Sequence, residues 1–223
     1  MYGPSPASPH VARTAGRRAT PPATMPDDRY ARAPRLPEGA AIDPAALVPA
    51  ATGPVELEIG PGRGWFLVER LAAVADAGLI GLEIRRKWAT IVDDRLRARG
   101  LGGRGRVFAE DARTALPRLL PASLSTVFVH FPDPWWKKRH QKRLLITEGL
   151  IEQLARVLRP GGELFVQTDV AERADAYEEA IARSGRFVPV TADGPRVEDH
   201  PFVARSPRER RALADGVPIV RLR

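Results

Sequence analysis

Short apolar runs alternate along this chain with longer segments whose apolar residues recur at helical spacing. The runs are rich in β-branched and aromatic residues and have the length of strands that are buried on both faces. They lie at residues 55–59, 79–83, 107–109, 127–131 and 164–166. Because strands and helices alternate, we predict an α/β fold with a doubly wound, mostly parallel sheet. Two further apolar runs, at 187–190 and 219–222, predict an antiparallel hairpin at the sheet edge.

Helices are predicted between the strands, and glycine and proline residues mark their ends. The first begins near Trp65, the second covers about residues 87–99, and the third covers about residues 143–158 before Pro160-Gly161-Gly162. A fourth runs to about Ser184, with Gly185 as its C-cap. The long segment 191–217 is charged and contains prolines, so we expect a functional or mobile loop rather than a simple connection.

The first 40 residues contain eight prolines and six arginines but few large apolar residues. This composition predicts a disordered basic segment. Such a segment could attract nucleic acid nonspecifically or could have no role, and the sequence leaves both open. Residues 41–223 are long enough to bury one hydrophobic core, and we predict that they form a single domain.

The chain is strongly basic, with 35 lysine and arginine residues against 27 aspartate and glutamate residues and a net charge of +8. This excess favours an anionic partner, either a nucleic acid or a membrane surface. No apolar run approaches the length that spans a membrane. The lack of cysteine excludes disulfides and thiolate zinc sites and fits a cytoplasmic location, and four histidines leave little room for a metal site.

The most unusual stretch covers residues 127–145 and reads VFVHFPDPWWKKRHQKRLL. A predicted strand ends there at the stiff turn Pro132-Asp133-Pro134, which holds one carboxylate beyond the strand end. Trp135 and Trp136 follow, and then a dense cluster of cations. Adjacent aromatic rings and cations suit a splayed-out nucleobase and its phosphates. The alternative interpretation is a strand, a turn and a solvated basic start of a helix.

Four carboxylates follow four successive predicted strands: Glu58, Glu83, Asp111 and Asp133. Each of them alone is readily explained as a helix cap or a turn residue. Ligands of parallel sheets bind at the carboxyl ends of the strands, so the four together predict an acidic crevice at that edge. An acidic crevice favours a cationic cofactor over a phosphate-rich one.

The glycine loop Gly60-x-Gly62-x-Gly64 supports the same choice of cofactor. A bulky tryptophan follows it, whereas a dinucleotide fingerprint needs a small residue for close helix packing. S-adenosylmethionine carries a sulfonium, an ammonium and a ribose diol but no phosphate, so carboxylates suit it. We expect Glu83 to accept from the ribose hydroxyls and Asp111 to face the adenine, with Glu58 and Asp133 at the methionine and sulfonium end.

At these residues the sequence resembles the bacterial tRNA (guanine-N7-)-methyltransferase family, over roughly residues 55–222. Three motifs carry the resemblance. They are Glu58-Ile59-Gly60-x-Gly62, Gly81-x-Glu83 and the longer Phe131-Pro132-Asp133-Pro134-Trp135-x-Lys137-x-Arg139-His140-x-Lys142-Arg143. The first two recur across methyltransferases, whereas the third is far more specific. The resemblance implies a Rossmann-like methyltransferase fold and methyl transfer from S-adenosylmethionine to N7 of a variable-loop guanosine in tRNA.

The resemblance also implies roles for individual residues, with Asp133 as the catalytic residue. Cofactor contacts are expected from Glu58, Gly60, Gly62, Glu83, Asp111 and Asp133; substrate contacts from Lys137, Asp169, Ser206, Pro207, Arg208 and Glu209; and RNA contacts from Arg139, His140, Gln141, Lys142, Arg143 and Leu144. Two positions depart from the family pattern, because Arg208 replaces an aromatic residue and Val170 replaces a tryptophan. Both departures concern recognition of the target rather than of the cofactor.

Three other functions stay open at this point. The first is methylation of another RNA or of a small molecule by the same fold, the second is NAD-dependent oxidoreduction, and the third is RNA binding without catalysis. The expected partner is tRNA, with no metal and no membrane. We expect the protein to act as a monomer or a homodimer.

Overall fold

The computed structural model describes residues 30–132 and 145–223. The strands in this part of the chain are β1 (Val55–Ile59), β2 (Gly78–Leu82), β3 (Gly105–Phe108), β4 (Leu124–His130), β5 (Leu158–Thr168) and β6 (Val220–Leu222). The helices are α1 (Pro44–Leu47), α2 (Trp65–Ala73), α3 (Arg86–Ala98), α4 (Ala112–Ala115), α5 (Glu148–Val157), α6 (Ala171–Ser184) and α7 (Pro207–Ala214), and a short 3-10 turn covers Leu116–Arg118.

The six described strands form one sheet in the order β3-β2-β1-β4-β5-β6. Strands β1 to β5 are parallel, and β6 runs antiparallel to β5. In the central pairs Glu58 of β1 lies beside Gly81 of β2 and Phe128 of β4. The residues that end these strands therefore meet at one edge of the sheet, and the predicted α/β fold class is confirmed.

Two hydrophobic layers cover the two faces of this sheet. One layer joins α4, α5 and α6 to inward residues such as Leu57 and Val127. The other joins α2 and α3 to Leu79 and Phe128, whose side chains point to the opposite face because neighbouring strand residues alternate. Burial on both faces explains why the strands appear in the sequence as uninterrupted apolar runs.

The predicted antiparallel edge at the C-terminus is confirmed, but one of the two strands predicted for it is absent from the described residues. Strand β6 pairs with β5, through Val166 with Leu222 among others, but residues 187–190 form no strand. The Val188 side chain is 86% exposed, and Pro189 has no N–H to donate to a ladder. The outer edge of β6 is instead occupied by residues 195–197, because the Val197 amide donates to the Arg221 carbonyl at 3.0 Å and the Arg223 amide to the Pro195 carbonyl at 2.8 Å. The prediction of a strand at residues 187–190 was wrong.

The helix end predicted at Gly185 is confirmed, whereas the turn predicted at Pro160-Gly161-Gly162 is not. Helix α5 ends at Val157, and the chain passes directly into β5, so Pro160-Gly161-Gly162 lies in the strand instead of forming a separate turn. Helix α6 ends as predicted, because Gly185 adopts a left-handed conformation with φ 63° as its C-cap. The segment 191–217, predicted as a loop, contains α7.

Part of the N-terminal segment packs against the sheet edge formed by β3. Ala33 and Leu36 are buried, and the Leu36 amide donates to Glu110 Oε1 at 3.1 Å. The Ala109 amide donates to the Pro34 carbonyl at 2.7 Å. Residues 30–40 thus belong to the folded part, because two apolar side chains find a surface beside β3. Residues 1–29 lie outside the described part of the chain. Within the described part, no helix is long and apolar enough to cross a membrane.

Candidate active site

The glycine loop between β1 and α2 shapes one wall of a pocket at the carboxyl edge of the sheet. Gly62 and Gly64 have φ angles of 55° and 69°, which favour glycine. A Cβ at Gly64 would lie 2.1 Å from Val92 Cγ1, so glycine lets the start of α2 pack closely on α3. A Cβ at Gly60 would meet no atom within 4 Å, so a ligand can approach the backbone there.

The carboxylate of Glu83, directly after β2, holds this loop in place. Its Oε2 accepts from the Gly62 amide at 2.9 Å, and its Oε1 accepts from the amide and Nε of Arg85 at 3.0 and 2.9 Å. Glu83 is buried, whereas the Arg85 side chain is 60% exposed. Because the Arg85 end of this ion pair is exposed, a ligand hydroxyl can replace the Arg85 side chain at the carboxylate.

Glu58 and His130 form a buried pair beneath the pocket. Glu58 Oε1 lies 2.8 Å from His130 Nδ1, and both side chains are only 3% exposed. Glu58 Oε2 and His130 Nε2 are buried without a hydrogen-bond partner among the described residues. A buried carboxylate oxygen without a donor is unfavourable, so Glu58 Oε2 fits a cationic group of a ligand.

Aromatic rings fix the orientation of His130. Its ring centroid lies 4.3 Å from that of Phe66, in an edge contact, and 5.7 Å from that of Phe128, which is stacked. Both phenylalanines belong to the hydrophobic layer under α2 and α3. The imidazole therefore has little freedom to turn, and it holds Glu58 in one position.

Asp111 behaves differently from Glu58 and Glu83, because it caps a helix. It is the N-cap of α4 and accepts from the Arg113 amide at 3.0 Å and from Arg113 Nη2 at 2.6 Å. The hydrogen bond from the Arg113 side chain lowers the pKa of this carboxyl, which burial opposes. Asp111 does not line the pocket. Its predicted contact with an adenine stays a prediction.

The opposite wall of the pocket combines the end of β5 with the start of α7. Arg208 Nη2 donates to Asp169 Oδ2, and the Arg208 guanidinium lies 5.9 Å from the centre of the Phe131 ring. Phe131 has φ 49°, a strained value for a residue that precedes a proline. The whole pocket has a volume of about 270 Å³ and is lined by Glu58, Gly60, Pro61, Gly62, Arg63, His130, Phe131, Pro132, Asp169, Ser206, Pro207 and Arg208.

The pocket thus brings together most of the described residues that the resemblance assigned to cofactor and substrate. Its charge is mixed, because Arg63 and Arg208 stand beside Glu58 and Asp169. The expected purely acidic crevice is not found among the described residues. A larger groove of about 730 Å³ lies against α6 and β5, but none of the predicted site residues lines it.

Glu209 faces the interior and not the pocket. It is fully buried, accepts from Arg221 Nη2 at 3.1 Å and from Gln167 Nε2 at 3.4 Å, and lies 3.5 Å from Arg205 Nε. Its amide donates to Ser206 Oγ at 3.1 Å, which makes Ser206 the N-cap of α7. Ser206 and Glu209 therefore anchor the helix that carries Arg208.

Several predicted site residues lie outside the described residues. These are Asp133, the tryptophans Trp135 and Trp136, Lys137, and the predicted RNA contacts at residues 139–144. Their roles stay predictions. Conversely, the sequence reasoning missed His130 and Arg63. A histidine inside an otherwise apolar strand was the available signal for His130, and an arginine between two loop glycines was the signal for Arg63.

Comparison with known sequences connects this arrangement to one family. A family model described as "Putative methyltransferase" matches residues 52–222. A tRNA (guanine-N(7)-)-methyltransferase from Myxococcus xanthus is 38% identical over 173 residues, which cover 77% of this chain and 83% of the relative. Another, from Anaeromyxobacter dehalogenans, is 42% identical over 176 residues, which cover 78% and 86%. The chain belongs to the tRNA (guanine-N(7)-)-methyltransferase family.

Solved structures agree with this assignment at the level of the fold. The aminoglycoside resistance methyltransferase NpmB1 aligns with a TM-score of 0.52 at 18% identity, covering 79% of this chain and 89% of that one. The geranyl diphosphate C-methyltransferase from Streptomyces coelicolor A3(2) aligns with a TM-score of 0.51 at 13% identity, covering 80% and 75%. At such identities the likeness establishes the fold alone. The Rossmann-like methyltransferase fold is confirmed.

Membership of the tRNA (guanine-N(7)-)-methyltransferase family gives the departure at position 208 a structural meaning. Where the family pattern has an aromatic residue, this chain places a guanidinium that pairs with Asp169 across the pocket. Arg208 is half exposed, and its neighbours Ser206 and Glu209 are held by the core. The substitution therefore changes the wall of the pocket without changing the anchor of α7.

Proposed function

We propose that the protein transfers a methyl group from S-adenosylmethionine to N7 of a guanosine in tRNA. The observation that carries this proposal is the pocket at the carboxyl edge of the sheet, where Glu58 presents a buried oxygen without a described partner. The names of the relatives, each at least 38% identical, support the choice of tRNA as substrate. The variable-loop position of the guanosine rests on the motif resemblance.

The residues present fit S-adenosylmethionine, which supplies a methyl group activated by a positively charged sulfur. Glu58 Oε2 is suited to the ammonium of the methionine part. Glu83 is suited to the ribose hydroxyls once Arg85 releases its carboxylate. The backbone at Gly60 allows close approach. At the position of Glu58 a phosphate would instead meet a buried carboxylate, which repels it.

Methylation at N7 requires little acid or base catalysis from the protein. N7 of guanine carries an in-plane lone pair and is unprotonated at neutral pH, so no proton has to be removed before attack. The protein must align N7 with the methyl carbon, and such positioning supplies about 7 to 11 kcal/mol in favourable cases. Asp133 is proposed to orient the base and to stabilise the positive charge that develops on the imidazole ring.

The target base has to leave its stack before it enters the pocket, which costs a few kcal/mol. Stacking on Trp135 or Trp136, worth about 1 to 3 kcal/mol per base, is of the size needed to offset this. On the other wall the Asp169 carboxylate can accept from the N1–H and amino groups of guanine when Arg208 releases it. A carboxylate at that place favours guanine, which offers two donors, over adenine, which offers one.

The test is methyl transfer from labelled S-adenosylmethionine to tRNA that lacks N7-methylguanosine. We expect incorporation at one guanosine, identified as N7-methylguanosine by nucleoside analysis. We expect Asp133→Asn to bind tRNA and S-adenosylhomocysteine but to lose transfer. Methyl incorporation at a different atom, or equal transfer to ribosomal RNA, would overturn the proposed substrate. Normal turnover by Asp133→Asn would overturn only the role of that residue.

The proposal includes a cytoplasmic reaction without a metal ion and a catalytic domain formed by residues 41–223, against which residues 30–40 pack. It also includes tRNA as partner and a monomer or a homodimer as the active form. Light scattering of the purified protein, alone and with one equivalent of tRNA, distinguishes the two forms. If the reaction needs no metal ion, activity should survive extensive treatment with a chelator.

A further inference from the structure

Two tryptophans and four cations form a continuous surface beside the glycine loop, which we call the cationic strip. Its members are Arg63, Trp65, Lys87, Trp88, Arg95 and Arg99. The Arg63 guanidinium lies 5.4 Å and the Lys87 ammonium 5.9 Å from the centre of the Trp88 ring. The Arg95 and Arg99 guanidinium groups lie 4.7 and 5.6 Å from the centre of the Trp65 ring. Each indole thus carries two cations, and cation–π contact fixes their positions.

The cationic strip meets the pocket at Arg63, in the middle of the strip. Arg63 lines the pocket with its neighbours in the glycine loop. The Arg95 side chain donates through Nη1 to the Arg63 carbonyl, so the two tryptophan centres are joined by a hydrogen bond. A chain of nucleotides whose base entered the pocket would meet these cations directly outside it.

No carboxylate in the described part of the chain neutralises the charges of the strip. None of its four cations forms an ion pair with a carboxylate within residues 30–132 and 145–223. Asp93 of α3 is buried and already accepts from Arg97 and Arg106. Elsewhere exposed arginines do find partners, as Arg186 does with Glu152 at 3.0 Å.

Arg95 and Arg99 lie over the same indole ring, so their positive charges are close to each other. Burial lowers the pKa of Arg95 from its usual value, and the positive charge of Arg99 lowers it further. Both arginines stay charged at neutral pH, because arginine does not lose its proton in proteins. A bound anion would therefore stabilise both guanidinium groups and remove the repulsion between them.

We propose that the cationic strip binds the sugar–phosphate backbone of the tRNA next to the nucleotide that enters the pocket. This inference rests on the proposed function and adds a second RNA contact, on α2 and α3, to the basic run at residues 137–143. Phosphate oxygens are the expected ligands, because four separated cations without carboxylate partners match a row of phosphates.

The test compares two double variants that remove the same charge. Lys87→Gln with Arg99→Gln neutralises the two ends of the strip and leaves the Arg95 bond to the Arg63 carbonyl intact. Arg186→Gln with Arg196→Gln is the control, because both arginines are exposed and lie away from the pocket. Binding of tRNA is measured at several salt concentrations, with binding of S-adenosylhomocysteine and thermal unfolding measured in parallel.

In the strip variant the slope of log affinity against log salt should be shallower by about two units. Each lost phosphate contact reduces that slope by about one unit. The KM for tRNA should rise while the dissociation constant for S-adenosylhomocysteine stays unchanged, and the control should keep the wild-type slope. An unchanged slope in the strip variant, or equal losses in both variants, overturns the inference. Wild-type protein that binds tRNA but does not methylate it refutes the proposed function and leaves the slope comparison valid. Wild-type protein that binds no RNA overturns both.

Discussion

Replacing His130 with phenylalanine removes the donor of Glu58 while keeping a ring among Phe66 and Phe128. The hydrogen bond spans 2.8 Å between side chains that are each 3% exposed, so water cannot take the place of the imidazole. Without that donor the Glu58 carboxylate is no longer held towards the ligand ammonium, so the complex should lose this contact. A hydrogen bond to a charged group is worth about 1.5 to 3 kcal/mol. At about 1.4 kcal/mol per tenfold change, cofactor affinity should fall about 10- to 150-fold.

Isothermal titration with S-adenosylhomocysteine measures this loss. 5′-Methylthioadenosine, which lacks the ammonium and carboxylate of the methionine part, serves as the comparison ligand, and its affinity should be nearly unchanged. His130→Asn retains an N–H donor and should recover part of the affinity. In the double variant with Glu58→Gln the two losses should not add, because both act on the same contact. Equal losses for the two ligands, or wild-type affinity in His130→Phe, would refute the reasoning.

Three further predictions concern stability and can be checked by thermal or denaturant unfolding. Ser206→Ala removes the N-cap of α7 and should lower the free energy of unfolding by about 1 kcal/mol, whereas Ser206→Thr should restore it. Gly64→Ala brings a Cβ to 2.1 Å from Val92 Cγ1 at a φ of 69° and should destabilise by about 1 to 3 kcal/mol, a loss that a smaller residue at position 92 should reduce. Burial, and then the charge of Arg205, lowers the pKa of His200 to about 3. Between about pH 6.5 and 3 the histidine is therefore protonated in the unfolded protein but neutral in the folded protein. Stability should therefore fall as the pH drops from about 6.5 towards 3, and His200→Asn should show a shallower fall.

The sheet could be predicted because burial on both faces leaves a clear pattern in the sequence. The apolar runs at residues 55–59 and 127–131 fall on β1 and β4, and the strand order of a parallel sheet then brings Glu58 and Glu83 to one edge. The run at 187–190 is equally apolar, but residues 195–197 take the outer edge of β6, and the local sequence does not encode this competition.

The wall formed by α7 could be predicted only in part. Ser206, Pro207 and Glu209 have the spacing of a capping box with proline at the first helical position, and this signal was available. The inward direction of Glu209 depends on Arg221 of β6 and on Arg205, which approach it through tertiary structure. The pairing of His130 with Glu58, residues 72 apart in the chain, likewise depends on the neighbouring positions of β1 and β4.

The first turn of α7 contains one residue that is buried in the interior and one that faces the pocket. Glu209 is tied into the interior, whereas Arg208, immediately before it, projects over the pocket towards Asp169. Residue 208 can therefore be replaced while the scaffold beneath it stays constant, and under the proposed function such a replacement changes the surface that meets the nucleotide. An engineer who wishes to retarget this enzyme can begin a library at that position, with little risk of losing folded protein.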